Sequence, residues 1–306
     1  MENLSLLIRN YLDFCQNQKR LDKKTLKAYR IDLNQFIAQS GALKITDITS
    51  DALEASIAAL HQNYKPKTVK RKIASVKAFF HYLEYKEVVN KNPFHKIQIK
   101  FREPVILPKT IPLSIVERFL SAMYEYRLNA KTAYQKRNAL RDIAVIELLF
   151  ATGMRISELC SLKTSSINLH DKTVLIYGKG SKERRIQIGN DDVVRILTEY
   201  QREYWKEMEH CSYFFINHFN QPLSDQTVRR MIQKYASLAG IDLHITPHMF
   251  RHTFATCLLE ADVDIRYIQE MLGHSSITIT EIYTHVALAK QRDILIAKHP
   301  RKDFLL

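Results

Sequence analysis

A twelve-residue stretch with three prolines, FREPVILPKTIP from Phe101 to Pro112, divides this 306-residue chain into two parts of different character. Proline lacks a backbone N–H, fixes its own φ and drives the preceding residue out of the helical region. The stretch shows neither a helical nor an alternating apolar period, so it reads as an extended linker. The expected organisation is an N-terminal domain over residues 1–103, a linker over 104–112 and a second domain over 113–306. The length suffices for two separate cores.

The N-terminal part reads as all-helical. LSLLIRNYLDFCQN carries apolar residues at 4, 6, 7, 11, 12, 14 and 15, a helical stripe. KKTLKAYRIDLNQFIAQSG repeats the pattern and stops at Gly41. A third helix is expected over SDALEASIAALHQN, capped by Ser50 or Asp51. A fourth starts near Lys67, with Val69, Ile73, Val76, Phe79, Phe80 and Leu83 facing inward. Lys67, Lys70, Arg71, Lys72 and Lys77 are expected at its start and outer side.

Those lysines matter because the chain is basic, with a formal net charge of +14. Residues 1–110 hold 20 Lys and Arg against 10 Asp and Glu; the remainder holds 26 against 22. Such an excess calls for a polyanionic partner, nucleic acid being the commonest. The basic helix is either a solvated face or one that grips backbone phosphates, and in a chain this basic the second is favoured. No apolar run reaches the length of a membrane span, the N-terminus lacks a secretory pattern, and no GxxxxGK[ST] loop offers an ATP site. Cys15, Cys160, Cys211 and Cys257 form no CxxC pair, so reduced thiols are expected.

The second part is mixed. SIVERFLSAMYEY and QKRNALRDIAVIELLFATG are helical, the latter ending at Gly153, and another helix begins near Arg155. TVLIYGKGSKERRIQIG alternates around a Gly-Lys-Gly-Ser turn and predicts a β-hairpin. Helices follow at about 190–206, 224–239, 247–261 and 264–272, and ALAKQRDILIAKH closes the chain as an amphipathic helix. The fold class is therefore mainly α with a small antiparallel β-sheet: a helical bundle domain followed by a mixed α/β domain.

Six polar residues are dispersed through this second part: Arg155 in ATGMRISEL, Lys179 in YGKGSKERR, His248 and Arg251 in TPHMFRHTFAT, His274 in LGHSS and Tyr283 in EIYTH. His248 and Arg251 lie one helical turn apart and share a face. Thr246-Pro247 fits an N-cap followed by proline at the first helical position. His244, His248 and His252 recur every four residues, yet the Glu of a zincin helix is missing, so no metal is expected there. Lys182, Arg184 and Arg185 are groove or phosphate contacts, or simply strand-edge charges.

In order and spacing these segments resemble the tyrosine site-specific recombinases, the integrase family, and among them the Xer-type members. The resemblance spans nearly the whole chain and implies an N-terminal DNA clamp joined to a catalytic domain. It implies that Tyr283 attacks a phosphodiester to give a 3′-phosphotyrosyl bond and a free 5′-hydroxyl. Arg155 and Arg251 would neutralise the non-bridging oxygens, while Lys179, as general acid, and the histidines His248 and His274 would move protons. Lys67, Lys70, Arg71, Lys72, Lys182 and Arg184 are the expected DNA contacts. No cofactor or metal is implied, because the bond energy is kept in the phosphotyrosine.

The implied partners are double-stranded DNA with paired half-sites and a homo- or hetero-tetramer of protomers passing through a Holliday junction. The C-terminal helix, about Ala287 to His299, would dock on a neighbouring protomer, with packing on its own domain as the alternative. Bacterial cytoplasm, at the nucleoid, is the expected location. The task would be chromosome or plasmid dimer resolution, or mobile-element integration and excision. A stretch near YRLNAKTAYQKRN, long for a housekeeping Xer protein, leans toward the latter. The rivals are a type IB topoisomerase-like relaxing enzyme, a catalytically silent DNA-binding regulator and a generic RNA-binding protein.

Overall fold

The computed structural model describes residues 4–41, 44–97, 108–178 and 183–273. The chain divides into two compact units, Met1–Pro104 and Val105–Leu306.

The first unit is built from α1 (Leu4–Asn17), α2 (Lys23–Ser40), α3 (Ser50–Asn63) and α4 (Pro66–Tyr85), followed by a short 3-10 turn, Pro93–Lys96. Each helix turns its apolar stripe inward, as the 3.6-residue period requires. The fully buried Tyr11, Leu33, Phe79, Phe80 and Leu83 form the centre of the core. Two boundaries differ from the sequence reading. The cap of α3 is Thr49, whose hydroxyl accepts the Ala52 N–H at 3.2 Å, rather than Ser50 or Asp51. The fourth helix begins at Pro66, because proline at the first helical position lacks only an N–H that would be unpaired anyway.

Lys72 requires a larger correction. It lies three residues after Val69 and four before Val76, on the inner stripe of α4, and is only 6% exposed. Its ammonium bonds the Gln35 side chain and sits 3.4 Å from Asp32 Oδ1. Asp32, itself buried, also pairs with Arg71 and accepts the Ser75 hydroxyl at 2.9 Å. Lys72 thus neutralises a buried carboxylate inside the bundle instead of facing DNA. A lone buried charge is too costly to keep, so each of the two explains the other. Lys67, Lys70 and Lys77 stay exposed along the outer face.

The second unit is organised around α6 (Ala133–Thr152). Ile143, Ala144, Val145, Ile146, Leu148 and Leu149 are all buried there. A helix apolar on nearly every side must be enclosed. It is enclosed by α5 (Leu113–Leu128), α8 (Asp191–Glu209) and α10 (Pro247–Glu260). Between α6 and α8 the chain forms α7 (Ile156–Cys160) and a three-stranded antiparallel sheet, order β1-β2-β3. The predicted hairpin is β2 (Thr173–Tyr177) with β3 (Glu183–Gln187), in the register Thr173↔Gln187 to Tyr177↔Glu183. Strand β1 (Ile167–Asn168) was not expected; two residues are too few to show alternation. After α8 come α9 (Asp225–Leu238), α10 and α11 (Ile265–Leu272), the last packed on α10 through Ala255, Ile268 and Leu272.

Candidate active site

Gly153 ends α6 in the left-handed region, at φ 58°. A Cβ there would come within 2.5 Å of the Phe254 ring and 3.1 Å of Leu272, so both backbone and space demand glycine. The turn brings the chain back under α10 and points the Gly153 carbonyl at Arg251. Arg251 is 4% exposed; its Nη1 donates to Gly153 O at 2.8 Å and its Nη2 to Leu272 O at 2.7 Å. The guanidinium therefore holds together the ends of two helices, α6 and α11, from its place on α10.

Arg155 occupies the N-cap position of α7. Its backbone N–H and its Nη1 donate to the two oxygens of Glu158, each at 2.8 Å. Its Nη2 reaches the Gly273 carbonyl at 3.5 Å. Both arginines thus converge on successive carbonyls, of Leu272 and Gly273, at the end of α11. The next residue is His274. His274, Tyr283, Lys179, Lys182 and the C-terminal helix lie outside the described residues.

Glu158 is the member that the sequence reading missed. Its carboxylate also receives Arg184 Nη1 at 3.1 Å and Nη2 at 2.7 Å, a two-pronged pair from β3. Burial alone would raise the Glu158 pKa, but the bonds from Arg184 and Arg155 outweigh it and hold the carboxyl below its usual range. Arg184 further donates from Nε to the Met271 carbonyl at 2.8 Å. Arg184 is therefore neither a groove contact nor a strand-edge charge. It lies on the face of β3 shared with the buried Ile186, and its side chain is 9% exposed. The two-residue period of ERRIQI carried that signal. Glu158 carried one too: a Glu three residues into a helix reaches back to the cap N–H.

Thr246 and Pro247 take the N-cap and first helical positions of α10 as expected, although the Thr246 side chain makes no cap bond. His248 follows in the first turn, where backbone N–H groups favour an anion. Its ring keeps solvent access, but the packing around it lowers its pKa, helped by the positive charges of Arg229, Arg251 and Arg155 and opposed by Asp225. His248 is thus neutral at neutral pH, with a lone pair able to take a proton. His252 is pushed down to about 4 by burial, by His248 and by Arg251. Arg229, on α9, is a further cation that the sequence reading did not single out. Among the described residues, His244, His248 and His252 do not gather into a metal-ligating group.

Two convergent guanidiniums beside a neutral imidazole suit a site that binds a phosphodiester and moves a proton. Comparison with known proteins agrees with this chemistry. The Phage integrase family matches residues 118–290, and the family's N-terminal SAM-like domain matches residues 8–87. A tyrosine recombinase of Agathobacter rectalis is 66% identical over 304 residues, covering 99% of both chains. The tyrosine recombinase XerD of Listeria monocytogenes is 36% identical over 304 residues, covering 96% of this chain and 99% of the relative. Among solved structures, the XerH site-specific recombinase bound to its palindromic difH substrate, in a post-cleavage complex, superposes with a TM-score of 0.73. It has 22% identity and covers 93% of this chain and 82% of that one. With relatives matched along their full length and a shared fold, the chain belongs to the phage integrase family, the tyrosine recombinases, enzymes that cleave and rejoin DNA.

Proposed function

We propose that the Arg155, His248 and Arg251 constellation binds the scissile phosphate of a recombination site and that Tyr283 is the nucleophile. The observation that carries this reading is the convergence of both guanidiniums on the Leu272 and Gly273 carbonyls, beside His248 and one step before His274. Attack by the tyrosine oxygen forms a P–O bond to Tyr283 and expels the 5′ oxygen. His248 in its neutral form takes the phenolic proton, and Lys179 returns a proton to the leaving oxygen. The arginines balance the charge that builds on the non-bridging oxygens. The reverse reaction with a 5′-hydroxyl from another strand rejoins the DNA, so neither ATP nor a metal takes part in the exchange.

Exposed Lys67 and Lys70 on α4 contact backbone phosphates in this reading, as does Lys182. Two duplexes with paired half-sites are held by four protomers, identical or of two kinds, whose C-terminal helices dock on their neighbours. The work is done at the bacterial nucleoid, in dimer resolution or in integration and excision of a mobile element. The test is incubation of the purified chain with two duplexes carrying inverted half-sites from its own genome. Strand exchange with a trapped Holliday junction is expected. Relaxation of supercoiled plasmid lacking such a site, with no exchange, would replace this reading by a topoisomerase.

Glu158 positions both Arg155 and Arg184, and a carboxylate suits this because it only accepts hydrogen bonds. In Glu158→Gln the new amide donor faces guanidinium donors. DNA cleavage is expected to slow by about 10- to 100-fold, on the scale of a misplaced catalytic group, with DNA affinity little changed. The same variant has a pH signature. The folded-state pKa of Glu158 is lowered, so its stabilisation is complete above the unfolded value of about 4.3 and is lost as pH falls through the folded pKa. Urea unfolding between pH 7 and pH 3 checks the sign: stability of the parent should fall more steeply below about pH 4.3 than that of the variant.

A further inference from the structure

Away from the recombinase residues, the first unit brings three metal-ligating side chains together. His81 and Glu84 are one turn apart near the end of α4, and His95 comes from the 3-10 turn Pro93–Lys96. Their nearest nitrogen and oxygen atoms all lie within 4.8 Å of one another. His81 Nδ1 is 3.8 Å from Glu84 Oε2, and His95 Nε2 is 3.5 Å from the same oxygen.

These separations are too long for charge-assisted hydrogen bonds, which close to about 2.7–2.9 Å. They approach the ligand-to-ligand span across a tetrahedral ion, about 3.4 Å for bonds of about 2.1 Å. The third edge, between His81 and His95, is within 4.8 Å and joins two imidazole rings that are each about half exposed.

The neighbouring Asn92 orients the cluster. It is fully buried, and its Oδ1 accepts the Phe94 N–H at 3.0 Å. That bond fixes the amide so that Nδ2 faces Glu84 Oε2 at 3.3 Å and His81 Nδ1 at 3.4 Å. An amide nitrogen only donates, so the His81 Nδ1 turned toward it is unprotonated, and a metal ion would take over its single lone pair from the long 3.4 Å contact with Asn92. A ligating carboxylate that receives an outer hydrogen bond from a buried donor is the usual construction of a metal site.

We infer that His81, Glu84 and His95 bind one divalent transition-metal ion of the zinc class, with a position left open to water. Two imidazoles and a carboxylate select zinc, cobalt, nickel or copper over magnesium and calcium. The bound ion ties the segment after α4 back onto that helix, and a ligand that binds only the folded state stabilises it.

The test uses the full-length chain without a histidine tag, stripped with EDTA. Zinc chloride is titrated calorimetrically and cobalt by its visible absorption, and Tm is read with and without zinc. The parent should take up one more equivalent than a His81→Ala/His95→Ala double variant, and zinc should raise its Tm only. Both rings are about half exposed, at 52% and 54%, so the double variant should keep the metal-free Tm of the parent. Glu84→Gln, with both rings retained, should weaken zinc binding at least about tenfold. Equal stoichiometry and equal Tm response in the parent and both variants, or no zinc uptake by the parent, would overturn the inference.

Discussion

Replacing Tyr283 by phenylalanine is expected to abolish the covalent protein–DNA adduct while leaving DNA affinity nearly unchanged. The substitution removes one hydroxyl and nothing of the basic surface, and most of the excess of cations resides elsewhere, in residues 1–110. A phenol with an ordinary pKa of about 10 is a poor nucleophile at neutral pH. It needs a neutral base and nearby positive charge, which in the proposed site His248 with Arg155 and Arg251 would supply. If Tyr283 is the nucleophile, its phenylalanine variant has no oxygen to form the bond, so the loss should be complete rather than partial. A nicked suicide substrate, from which the cleaved end diffuses away, accumulates any adduct that forms. A denaturation-resistant adduct in Tyr283→Phe would assign the attack to another residue, while DNA binding in a gel-shift titration serves as the internal control.

Arg251→Ala should have the second-largest effect, for two reasons that can be separated. Loss of one preorganised cation at a developing oxyanion costs about 10²-fold or more in rate. Beyond this, Arg251 is buried and joins Gly153 O to Leu272 O. Alanine leaves both carbonyls without that donor, at about 1–3 kcal/mol each where water cannot enter. The alanine variant should therefore be both slower and less stable. Arg155 is 35% exposed at its side chain and makes its shortest bonds to Glu158, three residues on in the first turn of α7. Arg155→Ala should accordingly slow cleavage by a similar factor with a smaller loss of Tm. Arg251→Lys keeps the charge but not the planar fork that spans two carbonyls, and should regain stability only in part. Cleavage rates and thermal unfolding of the three variants check this ordering; an Arg251→Ala protein as stable as Arg155→Ala would contradict the bridging role.

The contrast between these two arginines shows where reading the chain residue by residue stops. Local signals are short-range, and they were legible. Gly41, Gly153 and Gly273 each mark a helix end, and all three adopt positive φ. Alternation in TVLIY and ERRIQ marked the hairpin, and the helical period outlined the faces of α1 to α4. Where local readings went astray, the cause was a partner far away in sequence. Lys72 was assigned by its charge to the outer face, but Asp32, 40 residues earlier, holds it inside. Arg184 was assigned to DNA, but Glu158, 26 residues earlier, holds it against α7.

The amino-acid sequence by itself determined the helices of the described residues, the glycines that end three of them, the two hairpin strands, the basic excess and the motifs that mark this family. Each of these depends on neighbours within a few residues or on composition, and so is written locally. Only the tertiary structure decided which charges are spent on buried partners and which remain on the surface. It alone brought Gly153, Glu158, Arg184, Arg251 and the end of α11 into one hydrogen-bonded group, and His81, Glu84, Asn92 and His95 into another. Pairing of buried charges is a contest among groups distant in the chain. Its outcome depends on which carboxylate the fold carries to within hydrogen-bond reach of which cation, and no local pattern encodes that distance.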